Sequence, residues 1–88
     1  MNTDKILKKS RKMMESIERL MKMYPCRYRL SFEVERDETN RNGHFYDYCE
    51  MSSTESDFQK SFTIAHDGTI TDRHAVSFVI RRGRMVPA

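Results

Sequence analysis

The hydrophobic period changes at Pro25, and this limits the chain to one helix followed by strands. Upstream, Ile6, Leu7, Met13, Met14, Ile17, Leu20, Met21 and Tyr24 fall on one side of a 3.6-residue wheel, with Ser10 as a small polar residue in the stripe. Asn2 or Thr3 is suited to cap such a helix. Pro25 ends it, because proline disfavours helical geometry at the residue before it and has no amide hydrogen to donate. The spacing predicts a helix over residues 3–23. Its opposite face carries Lys5, Lys8, Lys9, Lys12, Arg19 and Lys22.

Downstream the period is two. Tyr28, Leu30, Phe32 and Val34 alternate with Arg27, Arg29, Ser31, Glu33 and Glu35, which predicts a strand over 27–36 with one buried face. A turn cluster over 38–43 follows, in which Asn42-Gly43 can supply the positive φ of a tight hairpin. The returning strand is expected over 44–51, with Phe45, Cys49 and Met51 inward and Tyr46 and Tyr48 outward. Residues 52–57 read as a polar loop. Phe58, Phe62 and Ile64 mark a third strand over 58–65, Asp67-Gly68 a turn, and Val76, Phe78 and Ile80 the inward face of a last strand over 74–81. Ile70 sits between them, in a segment that reads equally as a short strand or a loop, and the last half-dozen residues read as a tail. The expected fold is α+β, in a single domain over 1–88. An N-terminal amphipathic helix packs on one face of a roughly four-stranded antiparallel sheet, an arrangement that needs no parallel crossover.

Composition removes several classes of protein. The mean hydropathy of −0.79 and the shortness of every apolar run argue against a membrane span or a secretory leader, while five Phe, four Tyr and regular periodicity argue against disorder. Cys26 and Cys49 are too few for a disulfide framework, so two buried thiols in a reducing, cytoplasmic compartment are expected. His44, Cys49, His66 and His74, with Cys26, are metal-ligand types without the close-spaced pairs of a structural zinc site, so no metal and no cofactor are expected. His66, Asp67, Asp72, Arg73 and His74, with Arg81, form the nearest approach to an acid-base set, of the kind a small ribonuclease-like toxin would use. Asp67 and Asp72 are better read as turn formers with exposed histidine neighbours.

Charge carries the functional reading. Residues 1–29 hold nine Lys/Arg against three Asp/Glu, residues 30–57 two against eight, and residues 58–88 five against two. Lys5/Lys9 and Lys8/Lys12 are like-charge pairs four apart near the positive end of the helix dipole, where acids would be more stable. A surface with both signs suits a protein partner, whereas nucleic acid offers only one. The expectation is a small non-enzymatic binding or regulatory module, of inhibitor or adaptor type, steered electrostatically onto a larger protein. Its candidate contact residues are Lys5, Lys8, Lys9, Lys12, Arg29, Tyr46, Tyr48, Arg81, Arg82 and Arg84. Nucleic-acid binding through the basic helix and the C-terminal arginines is the alternative, and a homodimer is compatible with either.

Overall fold

A computed structural model of the protein describes residues 10–34 and 46–88. Among the described residues there are one helix, α1 (Arg11–Met23), and after it six strands: β1 (Tyr28–Glu33), β2 (Tyr48–Ser53), β3 (Ser61–Ala65), β4 (Ile70–Asp72), β5 (Ser77–Arg81) and β6 (Arg84–Pro87). The strands form one sheet in the order β1-β2-β3-β4-β5-β6, and every neighbouring pair is antiparallel. This is a meander. Each strand pairs with the one before it, and the helix covers one face.

The alternation read from the sequence decides which face that is. Cys49 lies opposite Phe32 and Ile64, Met51 opposite Leu30 and Phe62, and Ile70 opposite Ile64 and Phe78, so one row of apolar side chains crosses from β1 to β5. Met13, Ile17 and Leu20 close over this row and are as buried as Cys49, Met51, Ile64 and Ile70. Leu30, Phe32, Tyr28, Met14, Met21 and Tyr24 pack around the rim of the same cluster. The helix ends as its sequence requires: the Tyr24 N–H still donates to the Leu20 carbonyl at 2.8 Å, and Pro25 then stops the ladder.

Two buried hydroxyls fix how the helix sits. Ser16 Oγ donates to the Gly68 carbonyl at 2.6 Å, tying the helix to the β3–β4 turn. Gly68 adopts φ +93, and a Cβ there would stand 3.1 Å from the Lys12 carbonyl and 3.2 Å from Ser16 Oγ, so glycine is required both by conformation and by space. Ser10 stands at the N-cap position of the described helix, and its Oγ accepts from the Tyr46 N–H at 3.3 Å.

The sheet departs from expectation in identifiable places. It has six strands rather than about four, because the segment around Ile70 is a strand and the tail is one too. Arg82 and Gly83, with φ +52 and +71, make the two-residue turn that returns β6 against β5. The last inward strand starts later than 74: the Ala75 N–H donates to the Asp72 carbonyl and the Asp72 N–H to the Val76 carbonyl, which makes 72–76 a turn and leaves Val76 56% exposed. Phe58 belongs to the loop before β3, where its ring meets Tyr24 at 6.3 Å. The second strand runs on through Ser52 and Ser53. The first strand ends at Glu33, so Val34 is exposed rather than inward. Both cysteines are free; Cys49 is buried, its thiol pushed up to about 11 chiefly by burial, but Cys26 is only half-buried at the bend after α1. The predicted helix start over residues 3–9, the Asn42-Gly43 turn, His44 and Phe45 lie outside the described residues. Among the described residues no helix is long and apolar enough to cross a membrane.

Candidate functional site: a basic cleft between the helix and the fifth strand

Along α1 the residues opposite the buried stripe include Lys12, Glu15 and Arg19, and the crossing of helix over sheet places them beside β5. A cleft of about 240 Å³ lies there, lined by Lys12, Glu15, Arg19, Asp67 and Arg81. Arg19 anchors its inner wall, with Nη1 donating to the Ile80 carbonyl at 3.4 Å. Glu15 stands between Arg11 at 3.4 Å and Arg19 at 4.0 Å. Asp67 closes the end of the cleft from the β3–β4 turn. Its carboxylate accepts from the Thr69 N–H at 2.9 Å, and the bonds from Thr69 hold its pKa below the ordinary aspartate range.

The β5–β6 hairpin adds two more cations to Arg81. Its register puts Arg81 directly opposite Arg84, with Arg82 at the tip, so like charges face each other across the strand pair. Such pairs are destabilising. The structure therefore brings Lys12 and Arg81 of the sequence-predicted contact residues to one cleft and adds Arg19, while Arg82 and Arg84 stand in the hairpin that continues from Arg81. Arg19 was legible as well, since it lies seven positions after Lys12 on the same helix face.

The other candidates fall elsewhere. Lys5, Lys8 and Lys9 lie outside the described residues. Arg29 and Tyr48 are on the face of the sheet away from α1, which no described element covers, with Tyr48 directly between Glu33 and Ala65. Tyr46 is not outward. It precedes β2, where strand alternation does not yet apply, and its ring packs 5.0 Å from Phe32 on the helix side. Much of the uncovered face is small and polar: Ser31, Glu50, Thr63, Thr71 and Ser77 stand in one row across five strands.

The residues considered for acid-base chemistry do not converge. His66 and Asp67 sit in the turn before β4, and Asp72, Arg73 and His74 in the turn after it, at opposite ends of that strand. Asp72, Arg73 and His74 border a different, smaller cleft of about 170 Å³ over Tyr24, Phe62 and Phe78. There Lys60 Nζ lies 4.5 Å from the Tyr24 ring centroid, an interaction no sequence period announces. Asp72 accepts from the N–H groups of Val76 at 3.0 Å and His74 at 2.9 Å, and its pKa is lowered by them. Its carboxylate is committed to holding a turn. Comparison with protein-family models, with curated proteins and with solved structures finds no match to this chain.

Proposed function

We propose that this protein is a small non-enzymatic binding module, of inhibitor or adaptor type, that docks on a larger protein through the basic flank of α1, β5 and the β5–β6 turn. The observation that carries this reading is the pairing of Arg81 with Arg84, at the end of the strand whose Arg81 borders the cleft with Lys12 and Arg19. Facing cations lower the stability of a hairpin, and among the described residues neither arginine is in an ion pair, which supports a role in contact with something outside the fold. Glu15 and Asp67 in the same cleft give the surface both signs, which matches a protein partner and repels a polyanion. Nucleic-acid binding is less favoured for the same reason on the uncovered face, where Tyr48 has Glu33 as its direct neighbour.

The test is recovery of partners from native lysate, with and without nuclease, on wild-type protein and on the Arg81→Glu/Arg82→Glu/Arg84→Glu variant. A protein retained after nuclease treatment by the wild type and lost by the variant is the expected result. Capture that disappears with nuclease would transfer the flank to nucleic acid.

A further inference from the structure

The two edges of the sheet are built differently. At β6, the two-residue turn makes Arg81/Arg84 and Val79/Val86 the hydrogen-bonded pairs, so Met85 and Pro87 point their backbone outward, and Pro87 has no N–H to give. That edge is blunted. At β1 the backbone groups of Arg29, Ser31 and Glu33 are directed at β2, as the bonds from Thr54 N–H to the Arg27 carbonyl and from Asp47 N–H to the Glu33 carbonyl indicate, which turns those of Tyr28, Leu30 and Phe32 to the other edge, where no strand pairs among the described residues. The strand is six residues long, holds no proline or lysine, and leaves Leu30 and Phe32 only half-buried with Val34 exposed beside them.

We propose that β1 pairs with β1 of a second copy of this chain, antiparallel about a two-fold axis through Ser31. Within β1 itself that register places its one base opposite its one acid. Leu30 faces the partner's Phe32 on the helix side, twice by symmetry, and these pairs exchange the backbone bonds that the edge offers. On the other side Arg29 faces the partner's Glu33, twice over by symmetry. Ser31 Oγ donates to Glu33 Oε1 at 2.9 Å, which keeps that carboxylate on the face of the sheet that Arg29 shares. Shifting the register by two residues in either direction breaks the Arg29–Glu33 match. The resulting dimer has one continuous sheet, both helices on the same side, and its two basic flanks at the far edges, because β5 and β6 lie at the opposite end of the strand order from β1. It does not depend on what the basic flank binds.

Charge exchange tests this register, read as mass by sedimentation velocity over a dilution series. Wild type sediments as a concentration-dependent dimer. Arg29→Glu alone and Glu33→Arg alone each place like charges opposite one another twice and weaken dimerisation about tenfold or more, while the double variant Arg29→Glu/Glu33→Arg restores it. An equimolar mixture of the two single variants forms a heterodimer, which also demonstrates that each is folded. A wild type that stays monomeric throughout the series, or a dimer indifferent to both single exchanges, overturns the proposal.

Discussion

Gly68 and Ala75 occupy the same position in two successive hairpins, the fourth residue of a turn closed by its own N–H onto a carbonyl three residues back. Gly68 has φ +93 and Ala75 +63, a region where a Cβ is strained. Replacing Ala75 by Gly is therefore expected to be neutral to stabilising, by up to about 1 kcal/mol, once the greater freedom of glycine in the unfolded chain is subtracted. Gly68→Ala should cost at least about 2 kcal/mol, because conformational strain adds to collision with the helix backbone. Gly83→Ala should cost less than Gly68→Ala, since nothing lies within 4 Å of its Cβ position. Urea midpoints of the three variants check the order. Asp67 and Asp72 make a pH prediction. Both carboxyls are held below their ordinary range, by Thr69 and by the Val76 and His74 amides respectively. A group whose folded pKa is depressed stabilises fully above its unfolded value, so stability should fall as pH drops from the ordinary aspartate range toward the lower folded values. The Asp67→Asn/Asp72→Asn variant should show a shallower loss over the same acid range in urea unfolding. Both aspartates were legible as turn formers, whereas the left-handed Ala75 was not, because alanine carries no turn signal.

Helix and sheet meet through few side chains, and their loss should be severe. Ile17→Ala and Leu20→Ala are each expected to cost about 2–5 kcal/mol, the range for emptying a packed core site. Losses below about 1 kcal/mol at both would contradict the packing. Ser16→Ala should cost about 1–3 kcal/mol, because the Gly68 carbonyl would be left buried without its donor. Periodicity exposed α1 and the inward rows of β1, β2, β3 and β5 because each has enough residues facing the core to repeat a pattern. It could not expose β4, which is three residues long, or β6, whose four residues are all exposed. For β6 the available signal was local: Arg82-Gly83 can take two positive φ values, which starts a hairpin rather than a tail. Ser16 was hidden by its type, since a serine on the buried side of a helix is recognised only when its acceptor, fifty-two positions away, is in place.

Across the molecule, the charge sorting of the sequence becomes a geometry. Lys12 and Arg81 were suspected separately, and the meander puts β5 under the helix so that both line one cleft with Arg19, Glu15 and Asp67. What sequence could not supply was that juxtaposition, nor the inward turn of Tyr46, because both depend on contacts between distant segments. The central claim is that Arg81 and Arg84 face each other for the sake of binding and at the expense of stability. A single variant separates the two. Arg84→Glu turns the facing pair from repulsive to attractive, and should raise stability by about 0.2–1 kcal/mol. Measured on the same preparation, its association with the protein recovered by the wild type should slow, with a weaker dependence on salt, while dissociation changes less. A variant that gains stability and loses association rate is the expected result; one that associates at the wild-type rate, or unfolds earlier, would contradict it.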